Sequence, residues 1–348
     1  MNKHKLRFAI IGLDHWYSAV ELAQTLMSHP NTELIGIADN NEDHAREVAE
    51  QIGLDEYTTD LQKYIHDDRI DVVASFVTVD QNPAIVIAAA EAGKDIISVK
   101  PFANTLEEGS RIVEAVRKAG ITFVPAETRL RQSELNRYTK NLIDNRTLGE
   151  VVSGNFNVIS SLPQNWPDAP FDGGWWVDPS KVPGGGWIDH AIYQVDRLRW
   201  FLGEEPVRIS GRIANLVHPE LQVEDYGHAI VEFASGATFT IEDTWSGPFA
   251  SWRVSSTIIG TEGAVSQDTT SPDLTVFGMG GSGWTTQPAP DDDSSPLEPL
   301  IAHFTGADTA LFGGVEDAWA NLAVCLAFYE AAKSGTAVAI PHLAAHQS

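Results

Sequence analysis

Positive charge is scarce in this chain. Its 348 residues hold 23 lysines and arginines against 48 aspartates and glutamates, a formal net charge of −25. A surface of that sign repels phosphate backbones and anionic headgroups, so neither nucleic acid nor a membrane is expected as a partner. Cysteine is almost absent. The single Cys325 cannot pair within the chain, which suits a reducing compartment, and its apolar helical surroundings mark it as packing rather than a nucleophile. Long apolar runs are missing as well, none approaching the roughly 20 residues of a membrane span. The apolar stretch behind the basic residues 1–5 is interrupted by Arg7 and followed by Asp14-His15, unlike a signal peptide. A cytoplasmic protein is expected. Metal-ligand spacing is absent too: Asp189 and His190 are adjacent and diverge on a helix, and with Asp196 they make a poor ligand set, so no metal is expected.

What is present is an ordinary globular composition, 43% apolar, of a length that suggests about two domains. Through residues 1–125 apolar runs alternate with amphipathic segments. Strands are predicted at 6–12, 33–38, 72–77, 96–99 and 122–125. Helices are predicted at 19–28, 42–52, 61–66, 83–92 and 106–119, with Gly53, Gly93 and Gly120 just past three of their ends. Such alternation means βαβ units and a doubly wound parallel sheet, an α/β domain. Residues 126–348 read differently. Helices at 133–145, 188–202 and 315–334 frame extended segments at 151–159, 207–216, 228–233, 238–244, 252–259 and 264–267, the last five with no helix between them. That pattern is α+β with a mostly antiparallel sheet. Residues 160–183 form a long loop rich in Trp, Pro and Gly, and 269–299, low in complexity, reads as another loop.

Three places carry chemistry. After the first strand a dinucleotide fingerprint, Gly-x-Gly-x-x-Gly, belongs; here Gly12-Leu13-Asp14-His15-Trp16-Tyr17 keeps only its first glycine, and Asp14 repels a phosphate unless it turns away. Asp39, ending the second strand, can accept both ribose hydroxyls of an adenosine. It would repel a 2′-phosphate, and Asn40 offers no charge to neutralise one, so NAD is favoured over NADP. The alternative is a turn or cap for the helix that follows. Further along, Ile96-Ile97-Ser98-Val99-Lys100-Pro101 is a buried strand that stops at a lysine because proline cannot continue the ladder. A lysine there is either a solvated strand-end charge or a group at the carboxyl edge, where α/β folds place their ligands. The strand ends bring Gly12, Leu13, Asp14, His15, Trp16, Asp39, Asn40, Val77, Thr78, Lys100 and Pro101 to that edge as candidate cofactor contacts. Lastly, Gly184-Gly185-Gly186 opens a helix on which Asp189, Tyr193 and Asp196 share one face, too polar for pure core, while Ile188, Ala191, Ile192, Val195, Leu198 and Phe201 supply an apolar one. The polar face meets solvent or lines a site.

The order of nucleotide half, lysine-proline strand end, then Gly-Gly and Asp-x-x-x-Tyr-x-x-Asp on a helix resembles the glucose–fructose oxidoreductase / inositol dehydrogenase / rhizopine catabolism (Gfo/Idh/MocA) family. So do Glu91-Ala92-Gly93-Lys94, Leu148-Gly149-Glu150-Val151-Val152 and Ile259-Gly260-Thr261-Glu262-Gly263. The resemblance implies an NAD-binding Rossmann domain over 1–125. It also implies a substrate-binding and oligomerisation domain over 126–348 with an open sheet, assembling as a homodimer or homotetramer. The family lysine of Glu-Lys-Pro falls on Lys100, with Val99 in place of the glutamate. The position usually held by a proton-transferring histidine falls on Tyr193, as in the tyrosine-type branches. The implied activity is hydride transfer between nicotinamide and a sugar, cyclitol or related polyol. Lys100 then supplies positive charge, Tyr193 the acid–base group, and Asp189 orients substrate or lysine. Trp176 and His190 join the substrate contacts, and the loop tryptophans Trp166, Trp175 and Trp176 form either a wall for a sugar ring or a flap packed on the second domain. Two rivals share these residues: a redox-neutral glycosidase or epimerase that uses NAD, and a non-catalytic ligand sensor.

Overall fold

Alternation within single strands decides how the first domain is layered. The structure is a computed structural model in which residues 5–278, 283–290, 297–306 and 312–343 are described. Strands β1 (Leu6–Ile11), β2 (Thr32–Ala38), β3 (Tyr57–Thr58), β4 (Val72–Ser75), β5 (Asp95–Ser98) and β6 (Phe123–Pro125) form a parallel sheet in the order β3-β2-β1-β4-β5-β6. Helices α1 (Trp16–Ser28), α2 (Glu42–Ile52), α3 (Asn82–Glu91) and α4 (Leu106–Ala119) cover it. Phe8 and Ile10 of β1 enter the core shared with α1 and α2, while Ala9 and Ile11 enter the core shared with α3 and α4. Asn41 caps α2, and Thr105 with Glu108 forms a capping box on α4. The strand order reverses between β1 and β4, the crevice where doubly wound folds bind ligands. One expected helix is not there: residues 61–66 make consecutive turns, because the Asp60 carboxylate takes the Gln62 N–H and Tyr64 is drawn fully into the core.

The second domain adds α5 (Glu134–Asp144), β7 (Val151–Ile159), α6 (Gly186–Leu202), β8 (Pro206–Ala214), β9 (Tyr226–Phe233), β10 (Thr238–Thr244), β11 (Arg253–Gly260), β12 (Ala264–Asp268), β13 (Asp273–Phe277), β14 (Trp284–Pro288), α7 (Leu297–Phe304), α8 (Val315–Ser334) and β15 (Val338–Ala339). Its strands form an open sheet in the order β14-β13-β12-β11-β7-β10-β9-β8-β15, antiparallel except for the β7–β10 pair. Residues 269–299, expected to be a loop, supply β13, β14 and the start of α7. Leu274 and Val276 alternate into the core there, within a composition otherwise dominated by Gly, Ser, Pro and Asp. Residues 160–183 stay irregular apart from one 3-10 turn at Gly174–Val177. The α8 helix serves both domains: Trp319, Leu322 and Ala323 join the first core, and Val324, Cys325, Ala327 and Phe328 the second. Among the described residues no helix is long and apolar enough to cross a membrane.

Candidate active site

Helix α6 reaches the junction of the two domains, and its start is fixed from a distance. No side chain of its own caps it. The buried carboxylate of Glu224 accepts the Gly185 N–H at 3.0 Å and the Trp187 N–H at 3.1 Å, and the Tyr329 hydroxyl at 2.7 Å. A Cβ on Gly185 would come within 2.2 Å of the Glu224 carbonyl oxygen, so the close approach needs glycine. With nearly every residue of α6 buried, its polar face does not meet solvent.

One turn in, Asp189 meets Lys100. The ammonium donates to the Asp189 carboxylate at 2.6 Å and to the Asp189 carbonyl oxygen, with the two side chains only 4% and 8% exposed. Trp245, just past β10, donates its indole N–H to the other carboxylate oxygen at 3.0 Å. Burial acts to raise the Asp189 carboxyl, but the adjacent His190 ring, the Lys100 ammonium and these hydrogen bonds outweigh it and hold it well below the usual range. Burial likewise acts to lower Lys100, and the surrounding negative charge, Asp189 foremost, leaves it raised. The ammonium also lies 5.2 Å from the centre of the Tyr193 ring, which Arg129 approaches at 5.0 Å. His190 donates its backbone N–H to Asp243 at 3.0 Å, and its ring lies 3.4 Å from Asp189. Burial pushes His190 down to about 4, so it is neutral at pH 7, and pushes Asp243 well up.

Lys100, Tyr193, Arg129, His15 and Tyr17 line a cavity of about 600 Å³. A second, of about 340 Å³, lies against Tyr193, His190, Arg129 and Arg197. Trp176 shares a third, of about 300 Å³, with Asp189, His190 and Trp252. The structure thus gathers Lys100, Asp189, His190, Tyr193 and Trp176. It separates Asp196, which pairs with Arg131 at 2.5 Å and accepts from Asn321 at 3.1 Å in the core. Sequence reasoning missed Arg129, Asp243 and Trp245. Asp243 had a signal, a carboxylate on the inward face of an alternating strand; Arg129, in the 3-10 stretch Ala126–Gln132, had none. Val99, where the resemblance implies a glutamate, sits in the apolar core with Ile97 and Phe76. Among the described residues no group of three His, Cys, Asp or Glu side chains is placed to hold a metal.

At the crevice, the residues present fit a dinucleotide with one exception. Gly12 has φ +85°, and a Cβ there would meet the Val77 backbone at 2.5 Å, so the tight turn is kept. Asp39 sits beside it, accepting the Leu13 N–H at 2.6 Å and the Asn41 N–H at 2.8 Å. Asn40 bonds Gln81 at 3.0 Å. Among the described residues no side chain caps α1, which leaves the N–H groups of Trp16 and Tyr17 for an anion. The exception is Asp14. Its carboxylate turns to accept the Thr78 N–H at 3.1 Å, and burial, together with Asp39, raises it to about 6. Trp175 and Trp176 are buried among Leu162, Val182, Val223 and Trp245 of the second domain, and the loop tryptophans also reach across to this turn of the first. Trp175 donates to the Asp14 carbonyl at 3.2 Å, Trp16 donates to the Gln164 carbonyl at 3.0 Å, and Trp166 stacks on His44 at 3.6 Å. His15 is buried against Trp175 and Trp176, and burial lowers it to about 3. The Lys100-Pro101 peptide is cis.

Comparison with known proteins agrees with this layout. The profile of the oxidoreductase family with an NAD-binding Rossmann fold matches residues 6–126, and that of the GFO/IDH/MocA C-terminal domain matches 136–266. The chain is 28% identical over 268 residues to scyllo-inositol 2-dehydrogenase (NAD(+)) of Bacillus subtilis (strain 168), covering 76% of this chain and 74% of that protein. It is 27% identical over 273 residues to 2,7-anhydro-N-acetylneuraminate hydratase of Escherichia coli (strain K12), covering 76% and 68%. A solved structure of levoglucosan dehydrogenase in complex with NADH and L-sorbose superposes with a TM-score of 0.84 at 23% identity, covering 98% of this chain and all of that one. The chain therefore belongs to the Gfo/Idh/MocA oxidoreductases, with the family's NAD-binding Rossmann domain in front of its C-terminal domain.

Proposed function

We propose that the protein transfers a hydride between NAD and a sugar, cyclitol or related polyol, with Tyr193 exchanging the hydroxyl proton and Lys100 supplying positive charge. The observation that carries this is that Lys100 and Tyr193 line one cavity, with Asp189 pairing the Lys100 ammonium from behind. The bound nicotinamide supplies the hydride acceptor or donor. Lys100, locked by Asp189, keeps a fixed ammonium where an alkoxide develops, and needs no reorganisation to do so. Tyr193, on the same wall, takes or returns the hydroxyl proton, an effect worth roughly 10²–10⁴ in rate. Asp39 supports NAD over NADP by charge. Purified protein should give a nicotinamide absorbance change with a polyol from a panel, and Tyr193→Phe should lose at least a hundredfold in kcat. Undiminished kcat in that variant removes Tyr193 from the chemistry.

A relative named for a hydratase favours a second reading, a redox-neutral reaction on held NAD; product formed with no net NADH would select it. We also infer self-association. Ile259, Phe277 and Trp284 lie on one side of the open sheet, and all are exposed. Sedimentation measures it. A single buried thiol, Cys325, supports a reducing, cytoplasmic location.

A further inference from the structure

Helix α6 carries four buried charges, and three are matched. Asp189 has Lys100, Asp196 has Arg131, and Arg199 has Glu205 with Asp317. Arg197 is the exception. It is 3% exposed, and its one hydrogen-bond partner is the neutral Gln194 at 2.8 Å; Nε and Nη2 have none among the described residues. Its guanidinium lies 4.9 Å from the Phe156 ring centre and 5.5 Å from that of Phe201. Burial lowers its pKa to about 9, which leaves it charged at pH 7. Arg129, accessible to solvent on the same wall, makes no ion pair among the described residues. In a chain of net charge −25, two unmatched guanidiniums on one cavity need an explanation. That cavity also holds Tyr193, His190 and the unpartnered buried Oε1 of Gln267. Of its acids, Asp268 is held by Arg253, and Asp273 is exposed at the rim.

Resting on the reading of Tyr193 and Lys100 as a hydride-transfer site, we infer that the polyol is a sugar acid whose carboxylate pairs with Arg129, with the charge of Arg197 behind it. The guanidinium fork matches a carboxylate in two parallel hydrogen bonds. Only one fork is accessible, since Arg197 is sealed, which suits a single negative charge better than a phosphate dianion. Arg129 and Tyr193 also line the larger cavity that contains Lys100, so one ligand can span both groups.

Calorimetry with the full chain and NAD present, titrating D-glucose, D-gluconate, D-glucuronate and glucose 6-phosphate, tests this. The sugar acids should bind about ten- to a hundredfold more tightly than the neutral sugar, the range of one charge-assisted hydrogen-bonded pair. Arg129→Gln should remove that preference, and Arg129→Lys should restore part of it. Equal affinity for acid and neutral sugar overturns the inference, as does an acid preference that survives Arg129→Gln, or a preference for the phosphate. Turnover of neutral polyols without any acid preference would sink this inference alone, whereas absence of nicotinamide reduction with every substrate would sink the hydride-transfer reading beneath it.

Discussion

Lys100→Met keeps the length of the side-chain stem and deletes one charge from a pair whose members are 4% and 8% exposed. Asp189 is then left buried with the Trp245 N–H as its remaining side-chain hydrogen bond. Stranding one partner of a buried ion pair costs about 3–5 kcal/mol. The surviving bond places this case near the lower end, about 3 kcal/mol. Asp189→Asn on top of Lys100→Met removes the stranded charge at constant size, so the double variant should recover to within about 1.5 kcal/mol of the parent. Urea unfolding of all four proteins of the cycle at pH 7, with equal m-values, measures both numbers. The pH dependence has a definite sign. In the parent the folded pKa of Asp189 is depressed, so its contribution is full above the unfolded carboxyl pKa and is lost as pH falls through the folded one. In Lys100→Met the part of that depression due to the ammonium is gone, and lowering the pH relieves the variant by protonating Asp189. Turnover should be lost in both variants, although only the single one is unstable. The reasoning fails if Lys100→Met costs under about 1 kcal/mol, or if the double variant is no more stable than the single.

Glu127, fully buried and raised to about 7 by burial and by Asp196, has a folded pKa above its unfolded value of 4.5. Stability should therefore fall by about 3 kcal/mol as pH rises from about 4.5 to 7. Glu127→Gln should flatten that slope in urea titrations run across the window, and parallel slopes would refute it. Asp14→Asn removes a carboxylate from the dinucleotide turn. NAD affinity by calorimetry should rise about tenfold at pH 8, and the gain should shrink below pH 6, where the parent Asp14 is already protonated. Equal affinity at both pH values would show that Asp14 lies clear of the phosphates.

Where a local rule applied, the site could be read from residues. The apolar run before Pro101 placed Lys100 just past the carboxyl end of β5, whose ladder stops at Ser98 rather than at the lysine, and i, i+4 spacing put Asp189 and Tyr193 on one face of α6. The same face rule brought Asp196 along, yet a rise of about 1.5 Å per residue carries it roughly 10 Å further down the axis. There Arg131 claims it. Arg129 escaped notice because a 3-10 segment offers no 3.6-residue period to read, and Trp245 because its role depends on a contact across 56 positions. The fold was legible wherever alternation ran unbroken. It was lost at residues 269–299, where turn-forming residues outnumber the few inward apolar ones that make β13 and β14.

The α8 helix gives the molecule its cooperativity. Cutting the chain where the parallel sheet ends would strip the first domain of Trp319, Leu322 and Ala323, which come from the far end of the sequence and are nearly or fully buried within it. The first fragment then loses part of its core and the second is left with that face of α8 uncovered, so the two domains should melt in one transition, with the junction that holds Lys100 against Asp189 coming apart in the same step.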